Sequence, residues 1–329
     1  MTATVRHRIA SRLQGLVLAV LLAPTLGMAA DKIALQLKWT HAFQFAGYYA
    51  AQAQGYYAQA GLDVDIVEAA PETDVVRRVV QGEANVGVVA SSILGGISTG
   101  QPVVVLAAIF QHSPQVIIAR RGADLQSIHD LAGKRLMLEK QTEELSAYLK
   151  REGVPPASLQ LLPHSFNPQD MIDGKVDAMS AYQTNEPFVL DRQGFSYLLL
   201  TPRSVGIDFY GDNLFTSERE LRDHPQRTQA FVQASLRGWE YALAHPDEII
   251  ELIRQRKPAG PSREHLVFEA EQGLPLIRPD LVPIGYMHPG RWRHIANVYA
   301  ELGMLPADVS LEGFLPEVSE AHDWDRYLM

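Results

Sequence analysis

Residues 39–49 read WTHAFQFAGYY, which places five aromatic rings, a histidine and a glutamine directly after an alternating apolar run. Trp39 offers a flat face for stacking a heteroaromatic ring, a contact of roughly 0.5–1.5 kcal/mol beyond the area it buries. Gln44 carries both a donor and an acceptor, which suits an amide or pyrimidine edge. Phe43 and Phe45 stand in the same turn, one of them for the core. Tyr48 is the better cleft candidate of the two tyrosines, and His41 is the histidine closest to the cluster. Core packing explains the same rings, and spacing alone does not separate the two readings.

Two further groups could contact a small molecule. Ser91 and Ser92 lie between a buried strand and a short helix, where hydroxyls and free amides hold an anionic or carbonyl oxygen. Ordinary helix capping accounts for them equally. Tyr182, Asn185 and Glu186 follow the strand VDAMSAY and offer donors and an acceptor; Glu186 suits a ligand amino group or a salt bridge. No catalytic constellation emerges. The histidines are isolated, so no metal site is expected, and GISTGQP lacks the lysine of a phosphate-binding loop. No cofactor is expected.

The elements that must position these residues alternate. KIALQLK, LDVDIVEA, ANVGVVAS and PVVVLAAIF read as strands, with alanine-rich or valine-faced helices between them; Thr73 is placed as a helix cap and Gly61 as a helix stop. QVIIAR, KRLMLE, LQLLPH, VDAMSAY and SYLLLT repeat the pattern. This predicts α/β architecture with mostly parallel sheets covered by helices, and ligands bind at strand carboxyl ends in such folds. After residue 215 the sequence is nearly all helical. The last stretch, LEGFLPEVSEAHDWDRYLM, reads as a surface tail.

The chain has 329 residues, no cysteine and a formal net charge of -9. Disulfides and thiolate chemistry are excluded, and a nucleic-acid partner is not expected. Residues 1–29 carry a basic head, a short apolar run and small residues before Ala30, the form of a cleaved secretory signal peptide. Residues 30–329 are then expected to be soluble and periplasmic.

The segments LQLKWTHAFQFAGYYAAQAQGYYAQAGLDVDI, VVQGEANVGVVASS, LAGKRL, GKVDAMSAYQTNEP and GIDFYGDNLFTSE, in this order, resemble periplasmic substrate-binding proteins of ATP-binding-cassette importers. The nearest branch is the one that binds thiamine pyrimidine precursors, with sulfonate binders as relatives. The resemblance implies a two-lobe type II periplasmic binding protein with a ligand cleft between the lobes. Lobe 1 would comprise residues 30–113 and 210–329, and lobe 2 residues 114–209, with crossovers near 111–115 and 204–212. Gln111, Asp208 and Tyr210 would then stand at the crossovers, and Glu143 would open a lobe 2 helix that points into the cleft. The implied partners are a small nitrogenous heteroaromatic and a membrane permease, with the protein a monomer. A sensory binding protein that signals to a membrane kinase or cyclase is the alternative. The same family includes enzymes that make hydroxymethylpyrimidine phosphate; their lysine and histidine fall here at Val89 and Ile93, so an enzyme is not expected.

Overall fold

The computed structural model describes residues 30–316 except positions 71 and 141. The expected signal peptide and most of the expected tail lie outside the described residues.

Two five-stranded sheets organise the chain. The first contains β1 (Asp31–Gln36), β2 (Leu62–Val67), β3 (Val86–Val89), β4 (Val103–Phe110) and β10 (Gly211–Ser217), in the order β2-β1-β3-β10-β4. The second contains β5 (Gln115–Arg120), β6 (Arg135–Met137), β7 (Gln160–Leu162), β8 (Ala178–Tyr182) and β9 (Tyr197–Leu200), in the order β7-β6-β8-β5-β9. β1 runs parallel to β2 and β3, while β10 is antiparallel to both β3 and β4. The second sheet repeats this plan, with β5 antiparallel between β8 and β9. Each sheet is therefore mostly parallel with one reversed strand, and helices flank both.

Local sequence explains most of this. In β2, Leu62, Val64 and Ile66 are buried while Asp63 and Asp65 are exposed, the alternation of a strand wet on one face. β4 is an unbroken apolar run and buried throughout, as a strand covered on both faces must be. β10 escapes such reading, because GDNLFTS is half polar yet wholly buried. Its polar side chains have partners. Thr216 Oγ1 donates to the Asn85 carbonyl at 2.7 Å, and Asn213 Nδ2 donates to the Val89 carbonyl at 3.3 Å. Bonded polar groups can be buried at small cost.

Three local expectations are corrected. Gly55, with φ +70°, divides the alanine-rich stretch into the helices Ala46–Ala53 and Tyr56–Gln59. Asp74, not Thr73, caps the helix Val75–Val80; its carboxylate accepts from the Arg77 amide at 2.9 Å. Phe314, in the expected tail, is buried; its carbonyl accepts from the Val105 amide at 2.9 Å, and its ring lies 5.1 Å from Trp292.

The chain leaves the first sheet after Phe110, enters the second at Gln115, and returns between Leu200 and Gly211. The two crossovers touch. The Ser113 amide donates to the Phe209 carbonyl at 2.9 Å, and His112 Nδ1 lies 2.8 Å from Asp208 Oδ1. A Cβ on Gly211 would stand 2.7 Å from Pro114 Cδ and 3.0 Å from Ser113 Cα, so only glycine fits there. The helices Ala46–Ala53 and Pro225–Ala244 approach just as closely. A Cβ on Gly238 would lie 2.1 Å from the Gly47 carbonyl oxygen, and one on Gly47 would strike the Trp239 ring.

Candidate functional site

Between the sheets lies a cleft of about 690 Å³, open mouth included. The space it encloses for water-sized molecules is about 80 Å³. The carboxyl ends of five parallel strands converge on it. Lys38, Trp39 and Gln44 follow β1, and Ala90 and Ser92 follow β3; facing them, Glu139 follows β6, His164 and Phe166 follow β7, and Tyr182, Asn185 and Glu186 close β8. Gln115 enters from the start of β5.

The aromatic wall is formed by both sides. The Trp39 and Phe166 rings meet at 5.0 Å with a 48° tilt, and His164 lies 4.6 Å from Phe166. Phe166 has φ +56°, a conformation a bulky side chain adopts only when its surroundings hold it there. His164 supplies part of that hold: its Nδ1 accepts from the Phe166 amide at 3.0 Å, and its Nε2–H donates to the Ser180 carbonyl at 2.9 Å. These partners fix the tautomer, and burial lowers the pKa of the ring, so His164 is neutral.

Lys38 ties the two sides together. Its ammonium lies 2.9 Å from Asp212 Oδ1, donates to the Tyr182 hydroxyl, and sits 4.4 Å from the Tyr182 ring centroid. Asp212 also accepts from Gln44 Nε2 at 2.6 Å. Glu186 is likewise engaged: Oε2 accepts from the Tyr182 amide at 2.8 Å and Oε1 from Asn185 Nδ2 at 2.9 Å. Desolvation of its carboxyl, then the charge of Glu139, raises its pKa to about 8. Glu139 is itself raised by burial and lowered in part by Lys38. The Lys38 charge is thus cancelled by Asp212, Glu186 is largely protonated at neutral pH, the exposed Lys140 at the rim lies 3.6 Å from Glu72, and no arginine lines the cleft.

Of the residues singled out in the sequence, Trp39, Gln44, Ser92, Tyr182, Asn185 and Glu186 are brought together here. The others are not. Phe45 and Tyr48 are buried in the core, with Tyr48 packed edge-on to Trp239 at 5.9 Å. Phe43 is also core; its amide donates to Glu269 at 2.7 Å, and it borders a separate hollow of about 260 Å³. His41 turns to the Tyr49 hydroxyl at 2.7 Å, and Ser91 Oγ donates to the Tyr210 carbonyl at 2.5 Å. Gln111 donates to the Tyr286 carbonyl at 2.9 Å. Glu143 opens its helix away from the cleft lining, with burial raising its carboxyl. Asp208 is held by His112, Arg291 and Arg203; burial pushes its carboxyl up, but these donors and charges bring it below the ordinary range. Tyr210 packs on Trp292 at 5.3 Å, and its hydroxyl accepts from the His288 amide. Trp39 and Tyr210 therefore do not share the cleft.

Sequence reasoning missed Lys38, Gln115, Glu139, Lys140, His164, Phe166 and Ser180 among the polar and aromatic cleft residues. The signal was available for several of them. Lys38, Glu139 and Phe166 each follow a parallel strand, as Trp39 does, and the strand-end rule applies to all alike.

Residues 42–249 match the family model described as NMT1/THI5 like. The riboflavin-binding protein RibY of Chloroflexus aurantiacus is 27% identical over 306 residues, spanning 88% of this chain and 86% of the relative. A formylaminopyrimidine-binding protein of Halalkalibacterium halodurans is 23% identical over 232 residues, 68% of this chain and 70% of the relative. A 4-amino-5-hydroxymethyl-2-methylpyrimidine phosphate synthase of Legionella pneumophila is 24% identical over 239 residues, 69% and 74%. Among solved structures, the alkanesulfonate-binding protein SsuA of Xanthomonas axonopodis pv. citri, bound to MOPS, superposes with a TM-score of 0.66 at 15% identity, covering 88% of this chain and 98% of that one. At this identity the likeness shows the fold, a two-lobe α/β periplasmic-binding architecture.

Proposed function

The chain belongs to the NMT1/THI5-like family, and from that premise we propose that it is a binding protein for a small nitrogenous heteroaromatic, delivered to an ATP-binding-cassette importer. The observation that carries this is the Trp39–Phe166 wall over a cleft whose inner lysine, Lys38, is already neutralised. A flat ring gains stacking there, and ring N–H groups meet the carboxyl oxygens of Glu139 and Glu186. A sulfonate or nitrate would meet no guanidinium, and besides the paired Lys38 only the exposed Lys140 at the rim, itself 3.6 Å from Glu72. Binding-protein relatives named for riboflavin and formylaminopyrimidine favour the same class. The expected leader places the protein outside the cytoplasm, with a membrane permease as its partner and the monomer as its working form.

Synthase chemistry is disfavoured. Val89 lines the cleft and Ile93 is buried, where the resemblance places a reactive lysine and histidine. Neither side chain can form an imine or move a proton.

Calorimetric titration of the protein with 4-amino-5-hydroxymethyl-2-methylpyrimidine, riboflavin, thiamine and an alkanesulfonate tests the reading. At least one heteroaromatic should bind, and Trp39→Ala should weaken it roughly 10-fold or more, the loss expected for one stacked ring. Binding of the sulfonate alone, or of nothing, would overturn the proposal.

A further inference from the structure

The helix Glu186–Arg192 belongs to the second sheet, with Leu190 in that sheet's core, and the helix Arg263–Ile277 to the first, with Leu266 and Ile277 in its core. The two helices nevertheless meet. The Phe188 ring stacks on His265, with centroids 4.4 Å apart and planes 14° from parallel, and tilts against Phe268 at 5.7 Å. A polar bond joins the same surfaces: His265 Nε2–H donates to the Asn185 carbonyl at 3.2 Å. Phe188, His265 and Phe268 are only half-buried, and none of them lines the cleft. Distance from the crossovers gives this joint leverage. At its other end the helix Arg263–Ile277 is bonded to the first crossover, where the Leu276 carbonyl accepts from the His112 amide at 3.1 Å. At about 1.5 Å per residue, His265 stands about 16 Å along the helix from that anchor. An opening of about 15° at the crossovers would part points at that radius by roughly 4 Å, enough to unstack the rings and break the bond to Asn185.

We propose that Phe188, His265 and Asn185 form a latch that holds the two halves shut before any ligand arrives. The latch also reaches the cleft. Asn185 and Glu186 line it, and Asn185 Nδ2 donates to Glu186 Oε1 at 2.9 Å. His265 is thus a positioning residue: it acts on the second sheet's side of the cleft through the Asn185 backbone. A stacked aromatic pair shifts an equilibrium by roughly 2- to 12-fold, so its loss should open the molecule by that factor. Ligand affinity should follow in proportion to the shut fraction, because only the shut form presents both walls. The latch itself does not depend on which ligand the cleft takes.

The chain has no cysteine, so two introduced thiols can be labelled selectively. Glu72 follows β2 and Lys140 follows β6, and these exposed residues pair at 3.6 Å from opposite halves. Replacing so exposed a pair costs little. Nitroxide labels on Glu72→Cys and Lys140→Cys report the separation of the halves through their dipolar coupling, in ligand-free protein. This background should show a short-distance population. His265→Ala and Phe188→Ala should each lower the ratio of short to long distances roughly 2- to 12-fold. The two together should add little to either one, since both remove the same contact. His265→Phe, which keeps the stack, should recover most of the loss. A ratio that neither alanine variant changes, or a background without short distances, would overturn the latch. Calorimetric titration with riboflavin and 4-amino-5-hydroxymethyl-2-methylpyrimidine separates this inference from the reading of the cleft. Whichever probe binds should weaken in step with the shut fraction, and an affinity that stays constant while that fraction falls would overturn the coupling to the cleft. If the distances respond and neither probe binds, the latch stands and the proposed ligand class falls.

Discussion

Lys38 carries more of the cleft than its sequence context suggests. Its side chain is 16% exposed and that of Asp212 only 2%, so the pair sits in a medium where a lone charge is costly. Lys38→Met is expected to lower the unfolding free energy by about 3 kcal/mol, because it leaves Asp212 buried without its counter-charge. Asp212→Asn on top of it should restore part of the loss, and the coupling is read from urea unfolding of the four proteins. A loss below about 1 kcal/mol would mean that solvent serves Asp212 as well as the ammonium does. At this scale the sequence was half legible. Trp39 and Gln44 stood out because aromatic density marked them. Lys38 and Glu139 did not, since one charge at a strand end looks like any solvated charge until the fold shows what faces it. Ser91 and Tyr210 misled for the opposite reason: they stand beside the cleft in sequence, but turn to each other and to the core.

Among the elements, the joint between Ala46–Ala53 and Pro225–Ala244 depends on two missing side chains. Gly47 and Gly238 let the helix backbones meet, and the Trp239 ring fills the space over Gly47. Gly238→Ala would drive a methyl into a backbone carbonyl, which cannot rotate away. The expected cost is at least the about 1–3 kcal/mol of an overpacked core, visible as a lower urea midpoint with an unchanged slope. An unaltered midpoint would show that the helices slide apart freely. Nine strands were readable because their apolar runs or alternation match a sheet with one or two covered faces. The tenth was not. β10 is central, and its polar residues are buried only because β3, the Asn85 turn and Lys38 supply their partners. No local pattern contains those partners.

For the molecule as a whole, buried carboxyls set a pH response. Glu144 and Glu269 are raised to about 8, in each case first by burial. In the unfolded chain such groups ionise near their ordinary value, so between roughly 4.5 and 8 the native state holds protons that the unfolded state has released. Raising pH across that window therefore favours unfolding. The half-buried histidines His41, His164 and His265 are lowered instead, so they oppose this trend only below about 6.5. Unfolding free energy should fall between pH 6.5 and 8, by at most about 1.4 kcal/mol per pH unit for each carboxyl. Glu269→Gln should flatten the decline in urea titrations, and a decline of equal slope in that variant would contradict the assignment.

The placement of β10 also dictates an order of assembly. Residues 115–200 contain every strand of the second sheet, so that sheet can close on itself from a contiguous piece of chain. The first sheet cannot. Until Gly211–Ser217 slots between β3 and β4, those two strands face each other across a gap one strand wide, with open ladder edges on both sides. A polypeptide stopped between Leu200 and Gly211 thus owns one finished half and one half with a slot, and that slot accepts whichever extended segment reaches it first.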